Sequence, residues 1–322
     1  MIKKWSSRLT FFAFVVLMVG LGSNDSLRGI FSTIFQEHFS LTTTQLGLIV
    51  TASYIGNLVF LLVGGNLSTR FSKKRVLQVL ILIWMAALAL FAFTSNYTVL
   101  LIGMALALGS STLLNTTMNL ITPLLFATAP GFFVNFLFFT QEIGTSGSQY
   151  ILGSHADGFA FWQHTNLVLL ILGAVAFVLL LFCNVPEEAA APADAPAQKG
   201  GYDWRIIVPY VLVFGFYFIA EHGVMNWMVA YGVDGLGLPQ ASAAKYLSVF
   251  FGGMMIGRLC LSPLVDKLGA LKSLAAFGGV SCVLYLIGSL GGAVTMPVWA
   301  ISGLSFSILY PTLVMSIRLY FP

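Results

Sequence analysis

Residues 10–35 read TFFAFVVLMVGLGSNDSLRGIFSTIF. The run has the length of a bilayer-spanning helix, roughly 20 residues. Yet it carries Asn24, Asp25 and Arg28 in its interior. A charge at the centre of a bilayer costs about 3 kcal/mol or more, so such groups are kept where they are paired, protonated or wet. Asp25 and Arg28 are spaced i, i+3, and Asn24 and Arg28 i, i+4, which puts them on one helical face. Burial and a neighbouring guanidinium act on a carboxylate in opposite senses, so its protonation responds to conformation. That response is what proton coupling requires. A structural Asp–Arg pair that locks the helix is the competing reading.

Outward from this stretch the pattern repeats. Further apolar runs cover 43–66, 76–94, 97–125, 131–153, 164–184, 206–231, 243–265, 271–291 and 294–317, ten predicted spans in all. The chain is 58% hydrophobic and 8% charged, where a soluble domain carries about a quarter charged residues. Backbone polar groups must be satisfied within the segment in lipid, so the spans are helices. The alternation of a membrane barrel is absent. Met1–Val19 has the basic head and apolar run of a signal peptide. No small-residue cleavage site follows, so an uncleaved first helix is expected.

Basic residues fix the orientation. With the N-terminus inside, inside segments hold Lys3, Lys4, Arg8, Arg70, Lys73, Lys74, Arg75, Lys199, Arg205, Lys267, Lys272 and Arg318, and outside loops hold Lys245. This asymmetry predicts a cytoplasmic N-terminus. The basic residues form short loop clusters and no continuous face, which argues against nucleic acid. Cys183, Cys260 and Cys282 are scattered through apolar spans and offer neither a metal site nor a disulfide framework. No Walker loop, paired-histidine metal motif or G-x-S-x-G elbow occurs. No cofactor, metal or enzymatic chemistry is expected.

Residues 185–205, VPEEAAAPADAPAQKGGYDWR, break the hydrophobic pattern and read as a flexible cytoplasmic linker. They divide the chain into a six-helix bundle, 1–184, and a second bundle, 206–322, with four predicted spans. The halves are weakly alike. GGNLSTRFSKKR (64–75) follows span two, and SPLVDKLGALK (262–272) follows span eight. An offset of 197 residues aligns Leu67 with Leu264, Arg70 with Lys267, Gly56 with Gly253, Asn24 with Glu221 and Asp25 with His222. Parallel repeats of this kind are a transporter architecture, with the site near midplane.

These residues resemble the major facilitator superfamily, whose loop after helix two reads G-x-L-x-D-R-x-G-R/K-R/K. Gly65, Leu67, Arg70, Lys73 and Lys74 stand at matching places, while Thr69 and Ser72 replace the family's Asp and second Gly. The second half retains Asp266, Lys267 and Gly269. Within the superfamily the chain is most similar to the fucose–proton symporter branch. The similarity lies in LLNTTMNLITPLL (113–125), VNFLFFTQEIGTSGSQ (134–149), Ala220-Glu221, Gly257-Arg258 and Tyr310-Pro311-Thr312. The resemblance implies an all-α membrane protein of two pseudo-repeated bundles, with six plus four of an expected twelve helices. It implies a sequence truncated after the tenth helix, and hence a 322-residue fragment unable to transport alone.

The function implied is proton-coupled transport of a small polar solute, sugars first, by alternating access. The partners are the solute, protons and the lipid bilayer, for a monomer in a bacterial cytoplasmic membrane. Asp25 is the proton-coupling candidate, as the resemblance also implies, with Glu142 and Glu221 beside it. Asn24, Arg28, Asn115, Asn119, Gln141, His222, Asn226 and Trp227 are the substrate-binding candidates. Amides both donate and accept, which suits sugar hydroxyls. Asn115 stands where branch members carry Glu, a departure that bears on coupling. Trp227 offers a flat apolar face for stacking or an interfacial anchor. Gly65, Arg70, Arg258, Asp266, Lys267 and Pro311 are gating or structural candidates, and Pro311 predicts a kink. Helix-packing roles are the competing reading for the buried amides. Drug export on the same fold and a transport-inactive ligand sensor are the alternatives.

Overall fold

Polar caps set where the long helices begin. Ser72 Oγ accepts from Arg75 N at 3.4 Å ahead of Lys73–Phe93, and Asn96 Oδ1 takes Thr98 N at 2.9 Å and Val99 N at 3.2 Å ahead of Tyr97–Leu125. Each satisfies donors that the first turn leaves open. The far end of Phe159–Leu181 is closed by Lys74, whose Nζ reaches Leu181 O at 3.0 Å and Cys183 O at 2.7 Å. A cation at a helix C-terminus meets the negative end of the helix dipole there.

The computed structural model describes residues 2–126, 130–186 and 204–320. Among them every regular element is helical, and nine segments are long and apolar enough to cross a membrane. The chain divides into two compact units, Met1–Glu188 and Ala189–Pro322. The first holds α1 (Ile2–Ile30), α2 (Ser32–His38), α3 (Thr43–Arg70), α4 (Lys73–Phe93), α5 (Tyr97–Leu125), α6 (Pro130–Ile151) and α7 (Phe159–Leu181). The second holds α8 (Trp204–Ala230), which runs on into a π-helical turn at Tyr231–Gly235, then α9 (Gln240–Leu268) and α10 (Ala270–Leu290). It closes with α11 (Met296–Ile301), α12 (Gly303–Phe306) and α13 (Leu309–Tyr320). Most of the expected linker lies outside the described residues.

Three expected spans are corrected in detail. The first, 10–35, is two helices, α1 and α2, separated by a turn at Phe31. The fifth, 131–153, is α6. Its 22 residues have the length of a span and carry Asn135, Gln141, Glu142, Thr145 and Gln149. The tenth is broken twice, at Ser302 and at Ser307–Ile308, before α13 begins. Pro311 has no N–H for Ser307 O, and its ring crowds that carbonyl, so the break falls one turn ahead of the proline.

Within each unit the second and fourth spans pack through glycine. In the first, a Cβ on Gly56 would run into the Ala105 backbone, and one on Gly109 into Phe60. In the second, a Cβ on Gly253 would lie 3.1 Å from Leu304 N, and one on Gly303 would meet Phe250 O. The same device joins α1 to α6, where Gly22 faces Gln141 O and Gly144 faces Val19 O. Small residues let backbones approach this closely where no water drives association.

Candidate functional site

From Gly20 to Ser32 every residue of the first unit is buried except Asp25, which keeps accessible surface. The helices around α1 explain why. Its Gly22 side lies on α6, where Thr145 Oγ1 donates to Gly22 O at 3.2 Å and Ser23 Oγ to Gly144 O at 3.3 Å. Its Asn24 side lies on α4, where Trp84 Nε1 donates to Asn24 Oδ1 at 3.1 Å. The remaining direction, toward α5, is where Asp25 finds Ser111. Ser111 Oγ lies 3.2 Å and 3.3 Å from the two carboxylate oxygens.

Ser111 opens a polar stripe on α5. Asn115 and Asn119 follow at i+4 and i+8, so all three share a face. Asn119 Nδ2 donates to Asn115 Oδ1 at 2.6 Å, and Asn115 Nδ2 donates to Gln141 Oε1 of α6 at 2.7 Å. Asn115, Asn119 and Gln141 are all partly exposed, like Asp25. Arg28 is buried, with its guanidinium carbon 6.0 Å from the centroid of the Tyr54 ring, and it acts electrostatically on Asp25. Glu142 is buried on α6.

The structure thus brings Asp25, Arg28, Asn115, Asn119 and Gln141 into one unit's interior. Asn24, in the same unit, is 4% exposed, and its Oδ1 accepts from Trp84 of α4. Sequence reading missed Ser111 and Trp84. The signal for Ser111 was its place one turn before Asn115 on the same face. Nothing local to Trp84 marks it, since α4 is otherwise an apolar span.

In the second unit, Glu221 and His222 are half-buried on α8 and Asn226 is buried. His222 Nδ1 lies 3.1 Å from Phe218 O, and Asn226 Nδ2 donates to His222 O at 2.7 Å, both within α8. Tyr310 of α13 feels the charges of Glu221 and Arg258, and its ring lies 6.0 Å from that of Tyr217 and 5.7 Å from that of Phe218. Trp227 is half-buried, while Lys267 and Pro311 are exposed. The side chain of Arg70, the stretch around Gly65 and the side chain of Asp266 lie outside those described.

A helical membrane bundle with an accessible carboxylate and a stripe of amides inside its spans has the features of a membrane transport protein. The chain belongs to the Major Facilitator Superfamily, which it matches over residues 10–322, and this places it with transporters rather than enzymes. It is similar to the L-fucose-proton symporter of Escherichia coli (strain K12), 24% identical over 333 residues, covering 90% of this chain and 75% of that protein. It is also similar to the cis,cis-muconate transport protein of Acinetobacter baylyi, 24% identical over 297 residues, covering 85% and 70%. Among solved structures it resembles FucP, a transporter of the superfamily in the outward conformation. That likeness has a TM-score of 0.66 at 20% identity, over 96% of this chain and 84% of that one.

Proposed function

We propose that this chain is a secondary transporter of a small neutral polar solute, a sugar first, coupled to protons and working by alternating access. The observation that carries the reading is Asp25: a carboxylate in mid-span, half-buried where every other residue from Gly20 to Ser32 is buried, at the head of a row of amides. A carboxylate so placed can take and release a proton as access changes. Amides that donate and accept without net charge suit hydroxyls better than an ion.

In this reading Asp25 is the proton site, with Glu142 and Glu221 as further protonatable groups. The substrate-binding candidates are Asn24, Arg28, Asn115, Asn119 and Gln141 in the first bundle and His222, Asn226 and Trp227 in the second. Gly65, Arg70, Arg258, Asp266, Lys267 and Pro311 serve gating and structure. The protein is a monomer in a bacterial cytoplasmic membrane with its N-terminus inside. A six-helix bundle over 1–184 is joined through a linker at 185–205 to a second bundle over 206–322. The Acinetobacter relative favours one rival, a dicarboxylate, for which Arg28 would be the counter-charge. Against it, Arg28 is the charge that acts on Asp25, and Asn115, Asn119 and Gln141 beside it are neutral amides with no further charge to match a second carboxylate.

The test is uptake, into proteoliposomes carrying the product of the complete reading frame, of labelled L-fucose, D-glucose, D-galactose, D-xylose and cis,cis-muconate, with and without an imposed proton gradient. One unit of pH gradient is worth about 1.4 kcal/mol per proton, so one-proton symport accumulates its solute about tenfold. The expected result is gradient-driven accumulation of one sugar by the wild type and none by Asp25→Asn. Accumulation that survives Asp25→Asn would remove the proton role. Muconate uptake without sugar uptake would replace the substrate class.

A further inference from the structure

Hydroxyls inside membrane helices ordinarily bond back to their own helix. On α5, Ser110 Oγ donates to Leu106 O at 2.6 Å, and Thr116, Thr117 and Thr122 donate to Thr112 O, Leu113 O and Met118 O at 2.7–2.9 Å. Ser111 departs from this habit. It is 1% exposed, and its hydroxyl crosses to α1, in reach of both oxygens of Asp25. The two serines are chain neighbours of one chemistry and one depth, and a carboxylate decides which way the second one turns.

We infer that Ser111 is the positioning residue of the proton site, a latch between α1 and α5 that holds Asp25 while it is ionised and releases it when it is protonated. The inference rests on the proposed proton role of Asp25. With the carboxylate ionised, Ser111 donates to it, and a hydrogen bond to a charged acceptor outcompetes a neutral one. A hydronium ion then gives its proton to one carboxylate oxygen, forming an O–H bond and leaving water, and the charge that held the hydroxyl is gone. Ser111 turns to Ala107 O, the carbonyl four residues back, which it then shares with Ser110 Oγ at 3.2 Å, while Ser110 keeps its shorter bond to Leu106 O. The contact between the two helices opens at the head of the row formed by Asn115, Asn119 and Gln141, which ties protonation to the solute-facing groups.

Other groups around Asp25 do not replace this role. Arg28, one turn along α1, is the charge that acts on it. Of the helices packed on α1, α5 carries Tyr97 at its first residue, α6 carries Glu142 and Tyr150, α7 carries His164, and α2 carries Glu37 and His38. The ring of His38 stacks on Phe159 at 3.9 Å, which puts the α2 pair at the far end of the unit.

The test is infrared difference spectroscopy of the purified protein in lipid, titrated with acid, on the wild type, Asp25→Asn, Ser111→Ala and Ser110→Ala. Asp25→Asn assigns the carboxyl bands. The expected result is that Ser111→Ala moves the ionised-carboxylate band of Asp25 and Ser110→Ala leaves it in place. Ser111→Cys, a similar volume with a weaker donor, should fall between. In proteoliposomes Ser111→Ala should lower gradient-driven accumulation about tenfold, with solute exchange at equal pH retained. An Asp25 band indifferent to Ser111→Ala overturns the latch while leaving the proton site standing. If no titrating band is lost in Asp25→Asn, the proton-site reading itself fails and the latch with it.

Discussion

The first spans of the two units are built on the same plan and end in different environments. In α1 the polar residues are tied to neighbouring helices: buried Asn24 to α4 and half-buried Asp25 to α5, while α6 closes on the glycine side. In α8, the offset of 197 places Glu221 and His222 at the matching positions, and both are half-buried. Among the described residues α8 packs chiefly on α9 and α13, whereas α1 packs on α5, α6 and α7. An acidic residue in an apolar helix therefore has no fixed meaning. The helices that surround it decide whether it is held, screened or left at a surface.

If that contrast carries function, the two units should respond unequally to matched changes. The largest difference is expected between Asp25→Asn and Glu221→Gln. The first should abolish the roughly tenfold accumulation that a unit of pH gradient supports, and the second should leave most of it, as measured by gradient-driven uptake. Equal losses would mean that the second unit shares the coupling role.

A smaller difference is expected at the matched glycines. Gly56→Ala drives a methyl into the Ala105 backbone, while Gly253→Ala meets Leu304 N at 3.1 Å, where a few tenths of an ångström would relieve it. Overpacking of the first kind costs about 1–3 kcal/mol. Thermal unfolding in detergent should show a marked fall for Gly56→Ala and a slight one for Gly253→Ala. A reversed order would break the claim that α3 meets α5 more closely at Gly56 than α9 meets α12 at Gly253.

The smallest difference concerns two buried tryptophans. Trp84 Nε1 is bonded to Asn24, whereas Trp299 Nε1 has no hydrogen-bond partner among the described residues. Trp84→Phe strands a buried acceptor, at about 1–3 kcal/mol. Trp299→Phe removes a donor that was already unsatisfied. The same unfolding assay should rank Trp84→Phe as the more damaging. Indistinguishable variants would mean that Asn24 finds another donor.

Much of this was legible along the chain. Ten apolar runs gave the helices because a backbone in lipid must satisfy itself, and the charged loops and the offset of 197 marked a duplicated transporter plan. Asp25, Asn115, Asn119 and Gln141 were legible for the same reason: polar groups in apolar runs stand out, and i, i+4 spacing assigns a shared face. What the sequence could not carry was direction across helices. Asn24 and Asp25 are adjacent residues, about 100° apart on the helix, and only the packed neighbours send one to Trp84 and the other to Ser111. Ser110 and Ser111 are indistinguishable as letters. The carboxylate that turns the second hydroxyl outward lies 86 residues away, and only tertiary structure brings it within reach.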